Sequence, residues 1–208
     1  PTTQQFTQYV TSDPKLSTYG NSTGLIKSPI SRPYWIKTNS EGQLVFNEQT
    51  SNSIAILDPK SESLVEYLIP SKNSFWGDCA ANSDCGLAQI FDFTIHDDKI
   101  WFTEWVENNI GVVDTSVTLP FEINLDSKVI SLKPGESKNI SFEISPQKDL
   151  SDVSLILSDP YTFLNFTSSV PVPFQLTSEV SKSVDVTISA STDASPGTYK
   201  ILLGSQIE

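Results

Sequence analysis

The chain has 208 residues, room for one large or two ordinary domains of roughly 100–200 residues each, with 38% hydrophobic, 10% aromatic and only 18% charged residues. That is the composition of a folded chain with a Ser/Thr/Asn-rich surface, and it excludes a disordered acidic segment, which would lack aromatic and β-branched residues. The formal charge of −12 repels phosphate backbones and anionic lipid, which argues against a nucleic-acid binder and suits a soluble external surface.

No stretch carries apolar residues at helical spacing, whereas short Val/Ile/Thr/Phe runs between turn residues recur throughout, so the chain is expected to be all-β. In chain order the first half predicts a strand at FTQYV (Phe6–Val10), one in RPYWIKTNSEGQ, then LVFNE, SIAILD and LVEYL. After an interruption come QIFDFTIHDDK, IWFTE and NIGVVD. The two series are one unit used twice. Sliding Leu44–Asp58 onto Ile100–Asp114 matches Phe46 with Phe102, Glu48 with Glu104, Asn52 with Asn108, Ile54 with Ile110 and Asp58 with Asp114. FTQYV corresponds in the same way to LVEYL. Four short alternating strands per unit predict one antiparallel sheet, the form of a propeller blade.

The copies are 56 residues apart, longer than the ~40–45 of a common blade. The surplus is SKNSFWGDCAANSDCGLAQ, which holds both cysteines, Cys79 and Cys85. With no second pair a four-ligand zinc site is excluded, and a local disulfide closing a Gly/Asn/Asp-rich loop is expected. Asp78, Asn82 and Asp84 in this loop offer oxygens to calcium, but without the alternating spacing of a calcium loop, so turn chemistry is the simpler expectation. Sequons at Asn21, Asn139 and Asn165, with the cysteines, favour an oxidising, extracellular or cell-surface location.

The pattern changes after Asp114. TSVTLPFEINLDSK reads as a linker running into a new strand, followed by VISLKPGES, KNISFEIS, DVSLILSD, FLNFTSS, FQLTSEV, SVDVTISAS and GTYKILLGS. Short alternating runs this closely spaced predict a two-sheet β-sandwich of immunoglobulin type, with Phe142, Leu155, Ile156, Phe163 and Tyr199 helping to fill a core that has no Cys or Trp. The expected domains are 1–119 for the blades and 120–208 for the sandwich. The chain has no starting Met and no apolar run of ~18 residues. Two blades cannot close a ring, so the segment is expected to be part of something longer or a trimmed form. The remaining blades would come from the same polypeptide or a partner chain.

The strand, turn, IWFTE and NIGVVD series resembles the virginiamycin B (streptogramin) lyase family of β-propellers over roughly residues 5–116. LKPGES, ISFEIS and DASPGTYKILL are similar to immunoglobulin-like domains of secreted and surface proteins, and the combination resembles cell-surface proteins of archaea, which implies association with the cell envelope. The resemblance implies a C–O lyase that opens a cyclic depsipeptide ester by elimination with a divalent cation, usually magnesium. Its active blade has Glu-Pro-His ahead of the strand and the Glu of a WFTE segment after it. In the first repeat that triplet falls on Arg32-Pro33-Tyr34, and in the second, allowing one deletion, on Gln89-Ile90-Phe91. Neither has the acid or the imidazole, and a phenol cannot replace imidazole as a proton shuttle at neutral pH. Glu48 and Glu104 match the family's WFTE glutamate.

No catalytic residue is therefore expected in this segment. His96, the single histidine, reads as part of a polar turn with Asp97 and Asp98. The candidate ligand-binding residues are Arg32, Tyr34, Trp35, Glu48, Glu104 and Trp105, a residual cup with stacking surface and polar handles. Trp76 in the insert adds to it, while Trp101 is expected to pack between blades. No cofactor is expected, with magnesium or calcium as the ions to consider. The expected function is a non-catalytic extracellular binding or structural protein. The alternative is a streptogramin-type C–O lyase whose catalytic blade lies outside these residues.

Overall fold

A computed structural model describes residues 6–14, 30–77, 79 and 85–207. The chain divides into two compact units: Thr11–Thr118, and Leu119–Glu208 with Pro1–Val10.

The first unit holds two antiparallel meanders. Sheet one has four strands in sequence order: β1 (Pro33–Thr38), β2 (Leu44–Glu48), β3 (Ser53–Asp58) and β4 (Ser63–Leu68). Sheet two has three: β5 (Ile90–His96), β6 (Lys99–Glu104) and β7 (Asn109–Asp114). The repeat read from the residues is also a repeat of the backbone. Pro33 pairs with Glu48 ahead of a bulge that ends at Ile36, and Ile90 pairs with Glu104 ahead of a bulge that ends at Phe93. Arg32 and Gln89, which precede the paired residues, both take positive φ, 55° and 53°. Asn52 and Asn108 turn the β2–β3 and β6–β7 hairpins at 54° and 55°, a conformation asparagine tolerates better than most residues.

The sheets pack face to face as successive blades. Val45 and Ile54 of sheet one meet Phe93, Ile100, Phe102 and Val113 of sheet two, with Ile69, Ala88 and Ile90 closing the core. Gly111 lies beneath the Phe102 ring, where an added Cβ would sit 2.2 Å from the ring's Cζ. Lys37 on β1 adds a polar tie across the interface, with Nζ 2.8 Å from Asp92 and 4.8 Å from the Phe93 ring centroid. It also donates to the Phe93 carbonyl.

The second unit is a two-sheet β-sandwich. One sheet is ordered β11 (Leu164–Ser168), β13 (Lys182–Ala190), β9 (Ser137–Pro146) and β8 (Phe121–Leu125). The other is β12 (Phe174–Leu176), β10 (Leu150–Ser158) and β14 (Leu202–Gln206). Ile140, Phe142, Ile144, Val153, Phe174, Leu176, Val184, Val186 and Ile188 form its buried core.

Four expectations are corrected. Phe6–Val10 is not a strand, and Phe6 is 99% exposed. Sheet two has three strands where four were expected. Val129–Leu132 is not a strand, whereas Phe121–Leu125, read as linker, pairs along β9 with Ile123 opposite Ile144. Of the residues expected to fill the sandwich, Phe142 is buried and Leu155 packs against the core, but Phe163 and Tyr199 join Tyr161 in a separate aromatic trio with ring centroids 4.7–5.5 Å apart.

Candidate functional site

At the end of sheets one and two where β1 and β5 begin, the bulges turn side chains out of the regular alternation. Asn47, fully buried on β2, fixes this region: its Oδ1 accepts from Trp35 N at 2.8 Å, and its Nδ2 donates to the Ile90 carbonyl at 2.8 Å. One side chain thus holds the backbone of both sheets beside the rings they carry. Two repeat-related bonds complete the frame, Gln49 N to the Arg32 carbonyl and Trp105 N to the Gln89 carbonyl, both at 3.2 Å.

On this frame stands a continuous row of exposed aromatic rings. Trp35 meets Tyr34 edge-on at 5.7 Å, Tyr34 meets Phe91 at 6.3 Å, Phe91 meets Trp105 at 6.0 Å, and Trp105 meets Trp76 at 6.0 Å. Adjacent rings are tilted by 43–75°, so none stacks flat on its neighbour and their faces stay open. Trp105, at 65% exposed, is the most open ring of the row.

The cysteine loop delivers Trp76. Cys79 and Cys85 form the expected disulfide, with Cα atoms 5.4 Å apart. Asn73 and Leu87 exchange backbone hydrogen bonds across the insert, and the Asn73 side chain accepts from Phe75 N at 3.0 Å, capping the short 3-10 turn Ser74–Trp76. Gly86 lies against Asn73 at φ +135°, where a Cβ would sit 2.2 Å from the Asn73 carbonyl oxygen.

Of the sequence candidates, Arg32, Tyr34, Trp35 and Trp105 lie exposed at this end of the sheets. Glu48 and Glu104 do not: both are buried within their own sheets. Ser53 donates to Glu48 Oε2 at 2.8 Å, and the hydroxyls of Thr11 and Ser31, 2.6 Å apart, also lie against this carboxyl. Burial, with the negative charge of Glu66 adding, pushes the Glu48 carboxyl up to about 8. Asn109 Nδ2 donates to Glu104 Oε2 at 3.2 Å. The residue that sequence reasoning missed is Phe91. Its signal was available, because Phe91 and Tyr34 both fall at the third place of the triplet carried from the first repeat to the second.

Trp101 is 40% exposed on the face of sheet two away from sheet one. His96 is exposed, with Nε2 3.6 Å from Asp97. Among the described residues no group of three or more His, Cys, Asp or Glu is placed to hold a metal ion. Glu48 and Glu104, each buried and bonded in its own sheet, do not fit a shared magnesium site. Asp78, Asn82, Asp84 and Asn21 lie outside the described residues, while Asn139 and Asn165 are exposed on the outward face of the β11-β13-β9-β8 sheet. No helix among the described residues is long and apolar enough to cross a membrane.

The chain matches no protein-family model and no curated protein. Among solved structures, a virginiamycin B lyase from Staphylococcus aureus is similar over 56% of this chain and 38% of that one, at 24% identity and a TM-score of 0.32. A streptogramin B lyase is similar over 56% and 37%, at 24% identity and a TM-score of 0.33. A catalytically inactive variant of the Staphylococcus lyase with quinupristin is similar over 54% and 37%, at 22% identity and a TM-score of 0.32. The matched part spans less than two fifths of each of these proteins.

Proposed function

We propose that this chain is a non-catalytic, extracellular or cell-surface binding protein, with propeller blades that present an aromatic ligand surface, followed in sequence by an immunoglobulin-like sandwich. The observation that carries the reading is the exposed row from Trp35 to Trp76 on a frame fixed by Asn47, two repeat-related backbone bonds and a disulfide. Rigid, open aromatic rings lose little entropy on binding and gain area quickly, which is the character of an energetic hot spot. A surface of net charge −12 disfavours polyanions, so the ligand is a neutral or cationic molecule lying along the row. The reading calls for no cofactor. It takes further blades as partners that complete the ring, and glycans at Asn139 and Asn165 as marks of an external location.

The test is titration of intrinsic tryptophan fluorescence with soluble neutral glycans and with quinupristin, together with mass analysis of the quinupristin after incubation. Saturable quenching that is lost in Trp105→Ala, with no ring-opened product, is the expected result. Ring opening by this chain would replace the reading with a lyase. Quenching that survives replacement of both Trp105 and Phe91 would remove the aromatic row from the binding site.

A further inference from the structure

Two of the sequons, Asn139-Ile140-Ser141 and Asn165-Phe166-Thr167, lie on one face of the sandwich but in different surroundings. On that outward face the positions of β9, β13 and β11 hold only Ser, Thr, Asn, Asp and Glu, so it offers no apolar patch for another protein to cover. Asn139 is on β9, an inner strand that pairs with β13 along 137–144 and with β8 along 142–146. Its Oδ1 accepts from Thr187 Oγ1 at 2.8 Å, and the hydroxyl of Ser141, the third residue of the sequon, donates to Asp185. The Ser141 carbonyl accepts from Asp126 N at 3.3 Å, and Ile140 between them is in the core. Asn165 is on β11, the end strand of the same sheet, paired with β13 alone. Among the described residues, neither its side chain nor that of Thr167 has a hydrogen-bond partner.

We propose that Asn165 takes an N-linked sugar on the folded sandwich, whereas Asn139 takes one only before β9 has paired. A transferase must engage both the Asn carboxamide and the hydroxyl two residues on, so side chains already bonded within the fold compete with it. It must also draw the sequon out of its ladder. For Asn165 that means parting the five residues of β11 from one neighbour, with only the half-buried Leu164 and Phe166 uncovered. For Asn139 it means pulling β9 from β13 and drawing Ile140 and the 1%-exposed Phe142 from the core, an opening of the most stable part of the domain. In the transfer the Asn165 carboxamide nitrogen attacks the anomeric carbon of a sugar activated as a diphosphate ester. The N–C bond forms as the anomeric C–O bond breaks, the diphosphate leaves with the bonding pair, and the nitrogen gives one proton to a base of the transferase. The inference rests on the external location proposed above for its occurrence in the cell. The difference between the two sites is independent of that location and of the ligand surface, so the readings fail separately.

The experiment exposes the folded 208-residue chain to UDP-glucose and a soluble glucosyltransferase specific for Asn-X-Ser/Thr, and follows each site by peptide mass mapping. The same reaction is run on peptides cut after glutamate, which keep both sequons whole and pair no strands. On the folded chain Asn165 is expected to be modified, and Asn139 at least about ten-fold more slowly, because only a large opening exposes it. On the peptides the two rates are expected to converge. Thr167→Ala is expected to abolish modification at Asn165 and to leave thermal unfolding nearly unchanged. An Asn165 that stays unmodified on the folded chain overturns the proposal, as does an Asn139 that reacts equally fast there. A preference for Asn165 that persists undiminished in the peptides also overturns it, because the difference would then belong to the Thr and Ser of the two sequons and not to the fold.

Discussion

Tyr34 and Phe91 are the same residue of two successive repeats, and their ring centroids lie 6.3 Å apart across the junction of the two sheets. Each stands two residues after a position of positive φ, Arg32 at 55° and Gln89 at 53°, whose carbonyl accepts from the repeat-equivalent amides of Gln49 and Trp105. The backbone thus spends the same strained turn twice to put a ring at the same end of each sheet. From there Trp35 extends the row on one side and Trp105 and Trp76 on the other.

Exposure separates binding from stability at neighbouring rings. Trp105→Ala removes an open side chain and is expected to change folding free energy by no more than about 0.5 kcal/mol, while abolishing ligand-dependent quenching. Phe93→Ala, two residues along the strand from Phe91, empties a core position that is 3% exposed and is expected to cost about 3–5 kcal/mol. Urea unfolding of the two variants beside the wild type checks both.

Asn47 is a structural hinge pin whose loss should be felt in both sheets. In Asn47→Ala the part-buried Trp35 amide and the buried Ile90 carbonyl lose their side-chain partner. The expected cost is about 1–3 kcal/mol for each group left unsatisfied. Near-ultraviolet circular dichroism should change with it, because the backbone at Trp35 is released. Equal stability of Asn47→Ala and wild type would mean that these bonds are replaced by water at no cost.

What the sequence made legible was whatever is local or repeated. The all-β class, the doubled unit from Phe46/Phe102 to Asp58/Asp114 and the Cys79–Cys85 bridge follow from alternation, self-similarity and short spacing. The rest depends on partners far along the chain. FTQYV has the same apolar pattern as LVEYL, but a strand exists only where another edge accepts its hydrogen bonds, and among the described residues LVEYL has β3 while FTQYV has none. Phe121–Leu125 reads as linker until β9 supplies Ile144 opposite Ile123. Likewise nothing in the spacing of Trp76 and Trp105 says that the insert folds back to bring their rings to 6.0 Å.

The insert is therefore the place where small changes should displace a ring without unfolding the sheets. Gly86→Ala would put a Cβ 2.2 Å from the Asn73 carbonyl oxygen, against backbone that is also bonded to Leu87, at a φ that side chains rarely adopt. The loop must move, and the Asn73 cap that sets the Ser74–Trp76 turn moves with it. Reduction of the disulfide releases the same loop from its other end. Both treatments are expected to shift Trp76 fluorescence and weaken ligand binding several-fold, while β-sheet circular dichroism is retained. Binding that is indifferent to both would confine the ligand to the Trp35–Trp105 part of the row.

The buried Glu48 carboxyl should impose a pH dependence on the first unit, with a sign opposite to that of an ordinary ion-paired carboxylate. Its ordinary value is 4.5, and burial together with the charge of Glu66 raises it to about 8 in the folded chain. Between those values the folded state keeps a proton that the unfolded state has released, so stability falls as pH rises through that interval and levels off above it. The stabilising contribution is complete below about 4.5 and gone above about 8. Asp92 and Asp114 act in the other direction: Lys37 and Lys99 hold them below their ordinary value of 3.8, and their contributions are lost only on acidification below that value. Glu48→Gln keeps the shape and leaves Ser53 a partner, but it cannot ionise. Its stability is expected to match or fall slightly below the wild type near pH 5 and to exceed it near pH 8.5, with the difference growing across the interval. Thermal unfolding of both proteins at half-unit steps from pH 4.5 to 9 reads this directly. Parallel curves would mean that Glu48 is ionised in the folded protein and that water or a cation reaches it.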